Sequence, residues 1–250
     1  MFNAVLSSGK LWKQIIDAIS TLINEARFVA EPEALFLRAL DPSKAAMVDL
    51  YIPNASFDEY HCDERYEISV SMDDLVKVTK RVQGDDLVQL SLQPERERLQ
   101  ITLVGRAKRV FSLPLLDSTE PIPKKPNLKS TTKIEMNGEL LKQAIRDAQV
   151  VASQVIFEAS EKAFEIKGTG DAGEVSVIVE RENEAVLSME ISAPSRAMYA
   201  LSYLSDMIKA ISASDTVRLQ FASERPLQMD FGLPGGGRIS YIIAPRVERV

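Results

Sequence analysis

The chain contains the same unit twice. Residues 12–49 are echoed by residues 141–178 at a constant offset of 129 positions and without a gap. Further along the offset drifts by only a few positions, so that residues 74–77 are answered by residues 206–209. The repeat therefore spans almost the whole chain. A period this long predicts a duplicated domain, because the units of a solenoid have only about 20 to 50 residues.

Length and composition are those of an ordinary globular protein. The chain has 250 residues, of which 45% are hydrophobic, enough for one large or two medium cores. Its longest apolar runs are far shorter than a membrane span, and residues 1–9 lack the pattern of a secretory signal. We therefore expect a cytoplasmic protein. The net charge of -6 argues, taken alone, against a nucleic-acid binder.

The chain has one cysteine and one histidine, Cys62 and His61. An internal disulfide is excluded, and no cluster for a zinc or haem site can form from them. A thiol nucleophile beside its base is disfavoured, because neighbours on an extended chain point to opposite sides. We interpret the pair as part of a surface loop and expect no metal and no cofactor.

The pattern of each half predicts a strand, a helix, several strands, a second helix and three closing strands. Apolar residues at helical spacing predict helices over residues 9–24, 72–82, 137–152 and 203–212. Alternating patterns predict strands that include residues 34–38, 99–103, 175–179 and 216–221. Few gaps between strands could hold a crossover helix. We therefore predict an α+β fold with mainly antiparallel sheets and the helices packed on one face.

A proline-rich and lysine-rich segment lies between the halves. Proline removes backbone donors and fixes its own torsion, so residues 113–131 cannot form a helix or a central strand. We predict domains at residues 1–113 and 132–250, joined by an extended connecting loop over residues 114–131. A connecting segment this long is more often functional than idle.

Each predicted helix carries basic residues opposite its apolar stripe. They are Lys10, Lys13, Lys77, Lys80, Arg81, Lys142, Arg146 and Lys209. Such a face contacts phosphates without reading sequence, because no groove-reading motif accompanies it. Acids stand among them, including Asp17, Asp73 and Asp147, so one subunit alone should bind DNA weakly. Single lysines on exposed helix faces can also serve solubility alone.

Four short motifs, in order, resemble the proliferating cell nuclear antigen family of DNA sliding clamps in its archaeal form. They are LINEA at 22–26, LDPS at 40–43, YLSDM at 203–207 and IAPRV at 243–247. The resemblance covers the whole chain. It implies a duplicated two-domain clamp fold whose three subunits close a ring, with antiparallel sheets outside and the four helices of each chain on the inner face. The acidic exterior would keep DNA off the outside.

The resemblance implies a processivity factor that encircles duplex DNA and tethers DNA polymerase, with an ATP-driven clamp loader to open the ring. Lys13, Lys77, Lys80 and Lys209 match positions that face the duplex in the family, and helical geometry adds the other four basic residues. Ser20 and Ser202 stand where relatives can carry a cation.

The resemblance also implies a pocket beneath the connecting loop. It takes short motifs of DNA polymerase, the clamp loader, flap endonuclease and DNA ligase, in which a glutamine precedes an aliphatic and two aromatic residues. The backbone of residues 244–247 would be exposed for pairing with such a motif. Ile242 could equally be core. The walls implied are Leu40, Lys44, Met47, Ile122, Pro226, Ile242, Ala244, Pro245 and Val247.

The resemblance places the subunit contact between an edge strand near residues 107–113 and one near residues 174–180, which contains Val175 and Val177. Arg109 would form ion pairs with acids on the third helix. The implied acids are Glu139 and Asp147, while Gln143 departs from the acid often found there. The ring could consist of three identical chains or need paralogous partners.

Other functions stay open. An enzyme could use the glycine-rich residues 234–237 as a phosphate loop, or the acidic pairs at 73–74 and 85–86 as metal ligands. The first lacks the following lysine and hydroxyl residue and favours a hairpin turn, and the acids favour caps and turns. We therefore expect no catalytic residues. A DNA-independent peptide-binding scaffold and a subunit of a heterotrimeric or checkpoint clamp are the remaining alternatives. An archaeal clamp would lie at the nucleoid and a eukaryotic one in the nucleus.

Overall fold

The computed structural model describes residues 1–118 and 121–247, and both halves have the predicted order of elements. The first half contains β1 (Phe2–Leu6), α1 (Gly9–Ile19), β2 (Glu25–Glu31), β3 (Ala34–Leu40), β4 (Ala46–Pro53), β5 (Glu59–Cys62), β6 (Tyr66–Ser71), α2 (Met72–Thr79), β7 (Leu87–Gln93), β8 (Arg98–Val104) and β9 (Lys108–Pro114). The second contains β10 (Thr132–Asn137), α3 (Gly138–Val151), β11 (Gln154–Ala159), β12 (Ala163–Gly170), β13 (Gly173–Glu180), β14 (Val186–Ile191), β15 (Ser195–Ala200), α4 (Leu201–Met207), β16 (Thr216–Phe221), β17 (Leu227–Gly232) and β18 (Arg238–Ile243).

The chain forms two compact units. The change of unit along the chain falls between Pro123 and Lys124, inside the predicted connecting loop. The units are not continuous in sequence, because Gly232–Ile239 belongs to the first and Ser43–Met47 to the second. The repeat alone could not predict this exchange. Residues 119 and 120 of the predicted loop and 248–250 of the predicted second domain lie outside the described residues.

The first unit contains a five-stranded sheet in the order β5-β1-β7-β8-β9 and a group in which β2 pairs with both β3 and β6. The pairs are antiparallel, as predicted. Apolar side chains of these strands are buried, as in β8, where Leu99, Ile101 and Leu103 belong to the core. Trp12 and Ile16 of α1 complete that core.

The second unit repeats this plan. One sheet of four strands has the order β13-β12-β11-β15, and β10 pairs with both β14 and β16, which in turn pairs with β17. Its core contains a cluster of rings around Phe157. The ring centroid of Phe157 lies 5.2 Å from that of Phe164 and 5.5 Å from that of Tyr199. Edge-to-face rings of this kind add to the free energy gained by burial.

The first helix of each unit starts at a side-chain cap. The Ser8 hydroxyl accepts a hydrogen bond from the N–H of Leu11, and the Asn137 side chain accepts one from the N–H of Glu139. The helix predicted over 9–24 ends earlier, at Ile19. Beyond it the apolar spacing continues with Leu22, but that residue and Ile23 are buried in a turn that leads into β2.

The second helices are shorter than predicted. α2 ends at Thr79 and not at residue 82, and α4 starts at Leu201 but ends at Met207. The 3-10 helix Ile208–Ala213 continues α4. The helical spacing of lysines and apolar residues continues in the sequence past the last α-helical turn, so the predicted helices were too long. The backbone tightens there before the next strand begins.

In the part of the connecting loop that the structure describes, regular structure ends with Pro114, the last residue of β9. Residues 115–118 and 121–131 contain no helix or strand, and the N–H of Leu116 bonds to the carbonyl of Ser69 in the first unit.

His61 and Cys62 lie in strand β5, so the prediction of a surface loop was wrong. His61 is exposed while Cys62 is buried, and burial raises the pKa of the Cys62 thiol. No helix among the described residues is long and apolar enough to cross a bilayer.

Candidate nucleic-acid interface and docking surfaces

The basic residues predicted to face DNA are all at least partly exposed, and they fall into two groups. Three of them form an ion pair with an acid three residues earlier: Lys77, Lys142 and Lys209. The hydrogen bond that the Lys77 ammonium donates to the carboxylate of Asp74 raises the pKa of Lys77. Within the described residues, the other basic residues predicted to face DNA form no ion pair with their side chains; they are Lys10, Lys13, Lys80, Arg81 and Arg146.

Lys80 and Arg81 stand just beyond α2 and not inside it. The N–H of Lys80 still bonds to the carbonyl of Val76 at 2.9 Å, and the N–H of Arg81 bonds to that of Val78 at 2.9 Å. Both residues therefore follow the last helical turn. Lys209 likewise lies on the 3-10 helix after α4. Lys80 still has helical torsions as the C-cap of α2, so the shared basic face of Lys77, Lys80 and Arg81 stays a prediction.

Arg109 has partners inside its own chain. Its Nη2 atom forms an ion pair with the carboxylate of Asp86, whose side chain is only 5% exposed, and its Nη1 atom donates to the carbonyl of Arg81 at 2.7 Å. Asp86 also accepts from the N–H of Gln83 at 2.6 Å. This partly buried ion pair links β9 to the turn that follows Lys80. Sequence reasoning missed it, because only the register of β9 brings the two residues together.

The other residues predicted for the subunit contact also bond within the chain. Glu139 accepts from Lys142 at 2.7 Å, and Gln143 donates from its Nε2 atom to Asp147 at 2.7 Å. Gln143 thus supplies a donor to the acid beside it. Whether these groups also meet a second subunit stays a prediction.

Two sheet edges carry the backbone groups predicted for that contact. Among the described residues, β9 pairs only with β8, and β13 pairs only with β12. Each edge exposes one large apolar residue, since Val110 is 53% and Ile178 is 60% exposed. Val175 and Val177 are half-buried. Exposed edges of this kind invite another strand.

The residues predicted for the partner pocket differ in exposure. Met47 and Ile242 of the second unit are each only 6% exposed and belong to its core, whereas Val247 is 82% exposed. Leu40, in the first unit, is also exposed. Lys44 has a φ of 59°, a left-handed conformation that is uncommon for a residue with a side chain. The half-buried positions are Ile122, Pro226 and Pro245, and Ala244 is exposed.

The backbone of residues 244–247 is less open than predicted. The N–H of Ala244 bonds to the carbonyl of Ala45 at 2.9 Å, and the N–H of Arg246 bonds to that of Met198 at 2.7 Å. Pro245 has no N–H to offer. Of the backbone donors in this segment, only the N–H of Val247 has no such intrachain bond among the described residues.

The features considered for catalysis have structural roles. Pro234–Gly236 forms a 3-10 turn between β17 and β18, closed by a bond from the N–H of Leu233 to the carbonyl of Gly237 at 2.8 Å. Asp73 and Asp74 lie in the first turn of α2. Within the described residues, no three His, Cys, Asp or Glu side chains come together as metal ligands.

A duplicated α+β unit with this order of strands and helices is a DNA-clamp fold. The structure matches the crystal structure of PCNA from Thermococcus kodakaraensis with a TM-score of 0.94 and 28% identity, over 98% of this chain and 100% of that one. This match confirms the predicted fold class.

Sequence comparisons define the family. Residues 1–115 match the N-terminal domain of proliferating cell nuclear antigen, and residues 124–246 match its C-terminal domain. The DNA polymerase sliding clamp of Pyrococcus horikoshii is 38% identical over 247 residues, which are 99% of each chain. That of Thermofilum pendens is 37% identical over 249 residues, 99% of this chain and 100% of the relative. The chain belongs to the proliferating cell nuclear antigen family.

Proposed function

We propose that this chain is a DNA sliding clamp, a processivity factor that encircles duplex DNA and tethers DNA polymerase to it. The observation that carries the proposal is family membership over nearly the whole chain, joined to exposed basic residues on or directly after all four helices. The clamp is not an enzyme. It acts by holding other enzymes at their substrate, in the compartment that contains the genome.

Weak, sequence-independent contacts suffice for a closed ring. Lysine and arginine attract phosphates by releasing counterions, and this attraction is the same for every base pair. Lys13 and Lys80 are suited to it, because neither forms an ion pair within the described residues. The ring itself prevents dissociation, so the contacts can be loose enough to let DNA slide.

Ring closure is assigned to the edges of β9 and β13. Each edge has unpaired backbone groups, and joining them head to tail satisfies both. The two edges are also complementary in charge, since Lys108 begins β9 while Glu174 and Glu180 lie in β13. Three copies joined in this way would form a homotrimer, with Val110 and Ile178 buried at each contact.

Partner enzymes would dock through the connecting loop and the segments 40–47 and 242–247. Leu40 and Val247 expose apolar surface for an aliphatic or aromatic anchor. Because Met47 and Ile242 are buried, they would support the groove from below and contribute less directly to binding. The partners proposed are DNA polymerase, the clamp loader, flap endonuclease and DNA ligase, each through a short peptide motif.

The ring is tested by the molar mass of the purified chain, measured by light scattering after size-exclusion chromatography over a range of concentrations. We expect the mass of three chains, and a lower mass for Ile178→Asp. Leu187→Asp is the matched control, because Leu187 is 62% exposed on β14, an edge strand not assigned to closure. A monomeric wild-type chain would favour a clamp that needs paralogous subunits.

The DNA face is tested by primer extension with the cognate polymerase and clamp loader. Replacing Lys13, Lys77, Lys80 and Lys209 by glutamine should reduce product length to that of the polymerase alone. Four exposed cations outside the four α-helices provide the control with equal charge loss: Arg96→Gln, Lys133→Gln, Lys162→Gln and Arg225→Gln. Undiminished processivity of the first variant would favour a DNA-independent scaffold.

A further inference from the structure

Three of the lysines assigned to the DNA face form an ion pair with an acid three residues earlier on the chain. On α2, Lys77 Nζ lies 2.8 Å from Asp74 Oδ1. On α3, Lys142 Nζ lies 2.7 Å from Glu139 Oε1. At the end of α4, Lys209 Nζ lies 2.7 Å from Asp206 Oδ1. We call these the three lysine clasps.

Two of the clasps occupy corresponding positions in the duplicated units. Residues 74–77 and 206–209 match in the repeat, and the clasp persists although the backbone around it has changed. α2 begins with a cap at Ser71, whereas α4 has no side-chain cap and passes into a 3-10 helix before Lys209. An ion pair that only stabilised a regular α-helix would not be expected at Lys209, which lies beyond the end of α4.

The clasps are at least partly exposed, and their least exposed side chain is that of Lys142, at 26%. The side chains of Lys77 and Lys209 are 75% and 51% exposed, and that of Glu139 is 68% exposed. Ion pairs this exposed contribute little to folding stability. They nevertheless place a negative charge within 3 Å of a cation that should contact a phosphate, and a phosphate can reach that cation without any rearrangement of the fold.

We infer that Asp74, Glu139 and Asp206 weaken the grip of the clamp on DNA, so that the ring slides. When a phosphate binds, a clasped lysine must either break its ion pair or keep the negative carboxylate beside the phosphate. In either case the net number of phosphates neutralised falls. Lys13, Lys80 and Arg146 lack such a partner among the described residues and supply the remaining attraction. This inference rests on the proposed function as a clamp.

The effect has a measurable size. The logarithm of the binding constant falls with the logarithm of salt concentration by about 0.9 for each phosphate neutralised. Releasing all three lysines of a chain should therefore steepen this slope by about one to three. At low salt, the affinity for linear duplex should rise by about tenfold or more.

The test compares the wild-type chain with the triple variant Asp74→Asn, Glu139→Gln and Asp206→Asn in fluorescence anisotropy on a short linear duplex across a salt series. The control, Glu33→Gln, Glu95→Gln and Glu161→Gln, changes the net charge equally at exposed acids outside the four helices. We expect a steeper slope and tighter binding for the clasp variant only. Equal slopes in all three proteins, or equal steepening in the control, would overturn the inference.

A second arm separates failure of this inference from failure of the proposed function. Lys77→Gln, Lys142→Gln and Lys209→Gln remove the clasped cations themselves. If the inference is correct, they weaken DNA binding more in the background of the clasp variant than in the wild-type chain. If they weaken binding equally in both backgrounds, the DNA face stands and the clasps have no attenuating role. If they weaken it in neither, both the DNA face and the attenuation are wrong.

Discussion

The first helices of the two units begin alike and end differently. Gly9 at the start of α1 donates its N–H to the carbonyl of Asp86 at 2.9 Å, and Gly138 at the start of α3 donates to the carbonyl of Asp215 at 2.8 Å. Yet α1 has 11 residues and α3 has 14. The shared backbone contact belongs to the fold, while the differences lie in side chains near the helix ends.

Two glycines allow α3 to be longer. A Cβ atom at Gly170 would lie 2.0 Å from the carbonyl oxygen of Val151, and one at Gly168 would lie 3.3 Å from the Cβ of Ala152. The end of α3 therefore packs directly against β12. In the first unit the repeat offset places Ala39 and Asp41 at these positions, both of which carry side chains.

The turns that receive the two helix starts also differ. The side chain of Asp86 is buried against Arg109, whereas Asp215 is exposed. The first unit thus anchors β9, the edge assigned to ring closure, to the turn after Lys80 and Arg81. The duplicated fold thus keeps this backbone contact in both units and differs in its ion pairs, where the two copies have different surfaces to support.

The largest effect is expected where the two turns differ. Asp86→Ala should lower the free energy of unfolding by about 3 kcal/mol, because it leaves Arg109 without its carboxylate in a partly buried position. For a chain of this size the melting temperature would fall by about 6 to 12 °C. Asp215→Ala should change it by less than about 2 °C, since only an exposed side chain is lost. Circular dichroism at a fixed protein concentration measures both melting temperatures. Equal shifts for the two variants would contradict the difference between the two turns.

An intermediate effect is expected at the end of α3. Gly170→Ala should cost about 2 kcal/mol, because its methyl group would collide with backbone that cannot move away cheaply. Hydrogen exchange should speed up at the amide of Ala152, which bonds to Ala148 at 3.0 Å. Gly232→Ala is the control, because its Cβ would have no atom within 4 Å. The packing account is wrong if both variants melt at the wild-type temperature.

The smallest effect is expected at the end of α1. The hydroxyls of Ser20 and Thr21 donate to the carbonyls of Asp17 and Ala18 at 2.9 and 3.1 Å, at the last turn of α1. Replacing both by alanine should cost about 1 kcal/mol in thermal unfolding. Ser202→Ala, at an exposed position of α4, should cost nothing measurable. A loss above about 3 kcal/mol would show that these hydroxyls do more than satisfy two carbonyls.

The sequence predicted the architecture well, because the duplication and the alternating patterns are local signals. The predicted α1 was too long because Leu22 continues the apolar spacing. The spacing alone cannot show that this residue is buried in a turn. The basic positions could be predicted one helix at a time. The pair of Asp86 and Arg109 could not, since 23 positions separate the two residues and only the register of β8 and β9 joins them. The lysine clasps could have been predicted from the sequence, because each lysine follows its acid by three positions.

Retention on circular and linear DNA tests the sliding-clamp account most directly. The chain is loaded by its clamp loader onto a nicked circular duplex, the salt concentration is raised to screen phosphate contacts, and one cut then makes the circle linear. A ring held by topology stays on the circle at high salt and leaves within the time needed to diffuse off the cut ends. If the protein leaves the circle and the linear duplex at the same rate, it does not encircle DNA, and the sliding-clamp account is wrong.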